Sequence, residues 1–451
     1  MGRQSVVLGV DSSTQATKVV VLDLENGHLI AESRAPHAGE TVQDPRVWWQ
    51  ALITCIHSLD LSGLDICGIA VGGQQHGLVT LNQHGDPVVP APLWNNTDAA
   101  EDAARLNSLA DFPGRVGSSL VASFTIAKLA HLARTAPALL EQVVSICLPH
   151  DYVTYRLTGH MTSDRSEASG SGWWGSAGVD RNLLAIATDR IFAERVQLPD
   201  VLAPDAIAGH LSEAAAAELG LPVGIPVGPG AGDNAAAAIG IGATPAELVV
   251  SLGTSGVVFA VSDIPTADYR GEVCGFADAT GRFLPLVCMI NCTQVVNATA
   301  ALVGLPITQA LDLAGTVAPG ADGLWLEPYF GGERTPNLPH ATGSMFGVTY
   351  RNLTATNLIR AAVDGVAAGL RACQDALAGQ GVIKDQVTLV GGGSRHQTWQ
   401  QAIADASGLP VTVRAGGEHV ARGAATQIAA ILRQQSLLTL AEAWRPDVVA
   451  Q

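Results

Sequence analysis

Residues 8–23 read LGVDSSTQATKVVVLD. Two apolar runs with strand composition, Val6–Val10 and Val19–Leu24, flank a stretch of small and hydroxyl side chains that contains Asp11 and Lys18. A hydroxyl-rich turn beside one carboxylate is either a hairpin bend or a cradle for phosphate and metal. Downstream, Asn26-Gly27 is a type I′ hairpin signal, so a third strand at Leu29–Ala31 should complete a meander. DPRVWWQALITCIHSL (44–59) then reads as a helix, with Asp44 as N-cap, Pro45 in the first turn, and Trp48, Leu52, Ile56 and Leu59 on one face. A further strand follows at Ile66–Val71.

The same grammar returns later. AELVVSLGTSGVVFAVSD (246–263) is again an apolar run, a glycine and hydroxyl turn (Gly253, Thr254, Ser255, Gly256) and a second apolar run, which suggests a duplicated architecture. VTLVGGGSRHQTWQQAIADASGLPVTV (387–413) reads as strand, triple-glycine turn, helix closed by Gly408, and strand, a βαβ unit with a parallel pair. Between the halves, PVGPGAGDNAAAAIGIGA (226–243) passes from Pro and Gly into an alanine-rich helix. The boundary is expected just after it, giving domains 1–243 and 244–451.

With 451 residues and 47% apolar composition, the chain is long enough for two domains with their own cores. The formal charge of −16, from 25 Lys and Arg against 41 Asp and Glu, argues against nucleic-acid and anionic-membrane partners. Seven cysteines without a Cys-x-x-Cys pair read as reduced core thiols. The N-terminus lacks a signal pattern and every long apolar run is broken early, so a cytoplasmic protein is expected. The P-loop, G-x-G-x-x-G, H-E-x-x-H and G-x-S-x-G motifs are absent, and the histidines show no ligand-like pairing.

Three glycine-rich turns and two carboxylates, Asp11 and Asp233, remain. Phosphoryl transfer needs such parts: N–H and hydroxyl donors for phosphates, an acid for Mg²⁺, and a base aimed at the acceptor oxygen. A loose transition state asks little of the base beyond position, so an aspartate of ordinary pKa would serve.

GVDSSTQATK (9–18), GGQQHG (72–77), LWNN (93–96), GAGDNAAAAIGIG (230–242), SLGTSG (251–256), GGERTP (331–336) and LVGGGSRHQTWQQAIAD (389–405) resemble, in order and spacing, the FGGY carbohydrate kinases, most closely the xylulose kinases among them. The resemblance runs from about residue 6 to about residue 435. It implies an α/β chain with two lobes of the actin-like ATPase, or ribonuclease H-like, fold, duplicated around a central cleft where sugar and ATP meet with Mg²⁺. It implies ATP-dependent phosphorylation of D-xylulose to D-xylulose 5-phosphate. D-ribulose, L-xylulose or a polyol are the alternative acceptors, and a non-catalytic sugar or nucleotide sensor is the remote alternative.

Carried over residue by residue, the resemblance makes Asp233 the catalytic base, and Asp11 with Asp233 the carboxylates for the metal. Ser13, Thr14 and Lys18 fall in the first phosphate turn, Gly253 and Thr254 in the second, and Gly392 and Gly393 in the adenosine-side turn. Gln75 and His76 resemble the sugar-binding pair, with Trp94, Asn95 and Asp233 beside the sugar; Trp173 is a further candidate for the cleft wall. Three positions depart from the family pattern: Ser13 where glycine is usual, Asn96 where aspartate is common, and Arg422 in VARGAATQ (420–427) where a small or apolar residue is usual. A homodimer is one oligomeric state the sequence leaves open.

Each residue also has a plainer reading. Asp233 could be only the N-cap of the alanine-rich helix, and Asp11 a turn former. Thr14, Thr254 and Ser255 could be hairpin residues, Lys18 a solvated turn lysine, and His76 a half-exposed loop histidine. A neutral imidazole beside Gln75 could instead bond sugar hydroxyls directionally without a charge cost. An actin-like filament or chaperone would share the phosphate turns but give no reason for QQHG and GDN together. A sensor would have lost Asp233.

Overall fold

The first apolar runs form β1 (Gln4–Ser12), β2 (Ala16–Asp23) and β3 (Leu29–Pro36), an antiparallel meander whose second turn uses Gly27 at φ 70°. The computed structural model describes residues 3–37 and 41–449. Helix α1 (Arg46–Ser58) starts one residue later than the sequence suggests, and the Asp44 carboxylate accepts the Arg46 N–H at 3.0 Å. It buries Trp48, Trp49, Leu52 and Ile56. Strand β4 (Leu64–Gly73) then pairs parallel to β1. Alternate β1 and β2 residues face opposite ways: Val6, Leu8, Val10, Val19 and Val21 join the cluster under α1, whereas Val7, Val20 and Leu22 join a second cluster on the other face. A sheet covered on both faces needs apolar residues at every position, which is why these strands read as unbroken apolar runs.

Later in this unit come α2 (Thr125–Thr135), the short α3 (Arg165–Ser169) and the alanine-rich α4 (Asp233–Gly240). Just before α4, Ala231 and Gly232 pair parallel with Gly72 and Gly73 of β4.

The second unit repeats the plan. Strands β5 (Glu247–Leu252), β6 (Gly256–Phe259) and β7 (Phe283–Met289) form an antiparallel meander, and β8 (Gln386–Val390) adds parallel to β5 as β4 adds to β1. Helix α5 (Gln397–Ser407), closed by Gly408 at φ 69°, leads to β9 (Val411–Val413), parallel to β8, so the βαβ reading of the triple-glycine stretch holds. Among the described residues no single helix is long and apolar enough to cross a membrane.

The contacts divide the chain between Ala243 and Thr244. The first unit also takes Gly275–Phe283 and Glu418–Pro446, and the second takes Leu284–Gly417 and the chain from Asp447. Helix α6 (His419–Leu432) therefore returns to the first unit, where Ala421, Ala424, Ala425 and Ile428 cover Val7, Val20 and Ala70. Its approach to α4 leaves no room for side chains. A Cβ on Gly423 would lie 1.8 Å from the Ala236 carbonyl oxygen, and one on Gly240 would lie 1.9 Å from that of His419. Arg422, the departure from the family pattern, donates to the Trp444 carbonyl at 2.8 Å, while its buried Nε has no hydrogen-bond partner and burial lowers its pKa.

Because α4 begins with Asp233, the tight α4–α6 contact also holds that residue. Gly423→Ala should force the helices apart at a cost of about 1–3 kcal/mol and lower Tm by several degrees in calorimetry. An unchanged Tm would contradict the contact.

Candidate active site

Three parallel segments end together in the first unit. Asp11 of β1 and Ala231 both lie opposite Gly72 of β4, so Asp11, the exit into Gln74-Gln75-His76, and Asp233 all leave the same edge of the sheet. Carboxyl ends of parallel strands are where open α/β sheets bind ligands, because chain directions diverge there and backbone groups are left unpaired.

Asp11 is 3% exposed. Its Oδ2 lies 3.3 Å from Lys18 Nζ, and its buried Oδ1 has no hydrogen-bond partner. Burial pushes the Asp11 carboxyl up to about 6 even though Lys18 pulls the other way. Asp233 is the first residue of α4; the N-cap position is Gly232, and the Asp233 Oδ1 accepts from the Asn234 N–H at 2.7 Å and Asn234 Nδ2 at 2.8 Å. Those bonds are local and leave the later orphan N–H groups of the helix alone, so Asp233 does not act as a side-chain cap. Burial, and then the neighbouring Asp11 carboxylate, push the Asp233 carboxyl up to about 7. It is thus not an aspartate of ordinary pKa, although the chemistry would be served by one.

Lys18 is not a solvated turn lysine. It lies opposite Asp11 across β1 and β2 and reaches Glu418 at 2.7 Å. Burial alone would lower its pKa, but the two carboxylates outweigh that and raise it. The Ser13 hydroxyl closes the turn on the Ala16 carbonyl at 3.0 Å. Thr14 ties the turn to its surroundings, donating to Gln74 Oε1 at 3.3 Å and accepting from Trp94 Nε1 at 2.9 Å. Trp94 is otherwise exposed, whereas Trp173 is buried in the core. Asn95 is half-buried, and Asn96 folds onto Asp98, donating to its carboxylate at 3.0 Å and accepting its N–H at 3.1 Å.

The Gln75 amide donates to the Ser166 carbonyl at 3.2 Å and lies against Gly232, where a Cβ would sit 2.5 Å from its Nε2. Gln75 and Asp233 are therefore neighbours. His76 places Nδ1 2.9 Å from the Gly170 carbonyl; a carbonyl can only accept, so Nδ1 carries a proton, which in the neutral ring makes Nε2 the acceptor. The ring packs against both Phe124 and Phe276, with centroids 5.1 and 5.3 Å away, and those two rings also touch, 6.1 Å apart.

In the second unit, the pairing of Ser251 with Val390 sets the turns after β5 and β8 side by side, which brings together Gly253, Thr254, Gly392 and Gly393. Thr254 is exposed, and a Cβ on Gly392 would meet nothing. Thr293 joins the pair, giving its hydroxyl to the Gly253 carbonyl at 2.7 Å, and Gly391 holds its turn at φ 89°. The GGERTP block serves as a clasp: Glu333, buried, accepts from the N–H groups of Ile290 at 2.6 Å and Asn291 at 3.2 Å.

Sequence reading missed the polar layer under Gln75. Ser166 donates to Asp164 at 2.6 Å and accepts the Gly232 N–H at 3.0 Å; His150 lies 2.8 Å from Asp151 and 3.6 Å from Asp164. Burial opposes charge on His150, but Asp151 and Asp164 outweigh it and raise its pKa. Glu167 is driven well above the usual carboxylate range by burial and then by Asp151, Asp164 and Asp233. Only the density of SDRSE (163–167) hinted at this layer, since its partners come from distant segments.

Residues 6–240 match the N-terminal domain of the FGGY family of carbohydrate kinases, and residues 248–431 match its C-terminal domain. A xylulose kinase of Streptomyces coelicolor is 41% identical over 97% of this chain and 90% of its own length. One of Escherichia coli is 35% identical over 91% and 87%. The crystal structure of xylulose kinase from Bifidobacterium adolescentis is 36% identical, with a TM-score of 0.86 over 96% of this chain and 94% of that one. The repeated meander with its parallel extension is accordingly the two-domain actin-like ATPase fold of such kinases. The chain belongs to the FGGY family of carbohydrate kinases and is an ATP-dependent sugar kinase.

Proposed function

We propose that the chain transfers the γ-phosphoryl group of ATP to the terminal O5 of D-xylulose, giving D-xylulose 5-phosphate, with Asp233 as the base. The observation that carries this reading is the convergence of Asp11, Gln75 and Asp233 at one sheet edge, joined to near-full-length similarity to xylulose kinases. Membership of this kinase family implies ATP as the phosphoryl donor. Use of ATP and seven free thiols favour action in the cytoplasm.

In this reading, Gln75 donates and the His76 Nε2 accepts hydrogen bonds at the keto and hydroxyl groups, with Trp94 and Asn95 beside them. The O5 hydroxyl then faces Asp233. As O5 attacks the γ-phosphorus and the bond to ADP breaks, the O5 proton passes to the Asp233 carboxylate. The raised pKa of Asp233 suits a base that works near neutrality, since it takes the proton readily and returns it to water afterwards. In the second unit, the N–H groups around Gly253, Thr254, Gly392 and Gly393 are suited to nucleotide phosphates and the adenosine side; in the first, Thr14 and Lys18 are suited to phosphate oxygens.

Asp11 and Asp233 fit Mg²⁺. A buried Asp11 oxygen lacks a hydrogen-bond partner, and no cluster of three or more acidic, histidine or cysteine ligands occurs among the described residues. Two carboxylates completed by water and substrate phosphates is the usual manner of holding this ion. Bound there, it would neutralise charge on the phosphates.

Asp233→Asn should keep the fold and ATP binding while lowering kcat by roughly 10²–10⁴, the usual worth of a positioned base. Turnover close to that of the parent protein at saturating sugar would reduce Asp233 to a structural residue. In an ADP-release assay across ketoses and polyols, D-xylulose should be the best acceptor, D-ribulose weaker and glycerol poor. Glycerol is shorter and lacks the keto group, leaving buried polar partners unmet at about 1–3 kcal/mol each. A preference for glycerol would overturn the acceptor and leave the kinase.

A further inference from the structure

His76 has a left-handed backbone, φ 68°, shared among the described non-glycine residues by Ala321, Asp322 and Gln434 alone. The Gly77 N–H bonds to the Gln75 carbonyl at 3.0 Å, so His76 is the centre of a three-residue turn of the rare, strained hand. A side chain keeps such a conformation only where its surroundings over-determine it. The Gly170 carbonyl and the two phenylalanines hold the ring, and a separate clamp holds the backbone. The His76 carbonyl accepts from the Thr125 hydroxyl and from Lys128 Nζ, both at 3.2 Å.

Those two donors stand three residues apart on α2, hence on one face, and both side chains are buried, Lys128 at 2% exposure. The other partner of Lys128 Nζ is the Ser123 carbonyl. Placing an ammonium among carbonyl groups is costly, and burial pulls Lys128 down to about 7. A lysine placed so, in contact with the one strained residue of the QQHG block, needs an explanation that core packing does not give.

We propose that Lys128 is a positioning residue for sugar recognition: with Thr125 it pins the His76 carbonyl, fixes the left-handed turn, and so aims the imidazole at the acceptor sugar. The inference rests on the reading of His76 as a sugar-binding residue. The peptide plane after His76 sets the backbone torsions that carry the ring. Releasing its carbonyl lets the turn relax toward an ordinary conformation and swings the ring away.

The test is a double-mutant cycle with Lys128→Met, which keeps the length and removes the donor, and His76→Ala, assayed with D-xylulose and ATP. Lys128→Met should raise the KM for xylulose on the order of tenfold, as loss of one buried hydrogen-bond donor does. It should leave the KM for ATP within about twofold and change kcat less than the KM for xylulose. In the His76→Ala background the same substitution should add less than about twofold, because its effect passes through His76. Thr125→Val should reproduce the pattern more weakly, and it carries the test if Lys128→Met does not fold. Equal losses with and without His76, or equal effects on ATP and sugar, would overturn the positioning role. A rise with His76→Ala and none with Lys128→Met or Thr125→Val would overturn it too, leaving the sugar-binding reading intact. No change with His76→Ala would remove both.

Discussion

Two carboxylates buried at neighbouring strand ends, Asp11 and Asp233, impose the constraint to which the first unit answers. Each is pushed upward chiefly by burial. A pair of like charges taken from water is unfavourable unless cations or protons meet it. Lys18 meets part of the Asp11 charge but is shared with Glu418. In the proposed function that remaining need becomes useful, as a seat for a metal ion beside a carboxylate that takes a proton near neutrality.

Holding that pair together takes rigid support, and the fold supplies it through backbone rather than long side chains. The pairing of Gly72 with both Asp11 and Ala231 fixes three chain exits at one edge. Helix α6 then presses on α4 through Gly423 and Gly240, at distances where a side chain would collide with backbone oxygen. The buried layer of Ser166, Asp164, His150 and Asp151 continues this support under Gln75, linking it to Gly232 by hydrogen bonds on both sides of Ser166. Gln75, Asp11 and Asp233, the groups proposed to bind sugar, metal and proton, are thus placed by one set of strand ends.

Much of this was legible in the sequence. Unbroken apolar runs around DSSTQATK gave the first meander and those around LGTSG the first two strands of the second, and the triple glycine gave the βαβ unit, because each depends on local chemistry. The third strand of the second meander, Phe283–Met289, gave no such signal, and Asn26-Gly27 marked a turn that is not type I′, since only Gly27 has a positive φ. What escaped depended on distant partners. Nothing in VARGAATQ says that its small face packs on α4, although the glycine and alanines permit it. The plainer reading of Lys18 as a solvated lysine fails because its partner Glu418 is far along the chain. The raised pKa of Asp233 gave no sequence signal, because it follows from burial and from Asp11, neither of which a local motif contains. Lys128 gave no signal, since a lysine on a helix is normally exposed.

Asp233 holds its proton far above the ordinary carboxylate range in the ligand-free protein. A carboxyl with a folded pKa of about 7 and an ordinary unfolded value of 3.8 binds its proton more tightly when folded. Its contribution to stability is therefore largest below the unfolded value and is lost as pH rises through the window up to the folded one. Thermal unfolding of the parent protein and Asp233→Asn, in EDTA and without nucleotide, measured from pH 4 to pH 8, tests this most directly. The account predicts that the variant gains stability relative to the parent as pH rises through that window and levels off above about 7. Parallel curves with no pH-dependent gap would contradict it.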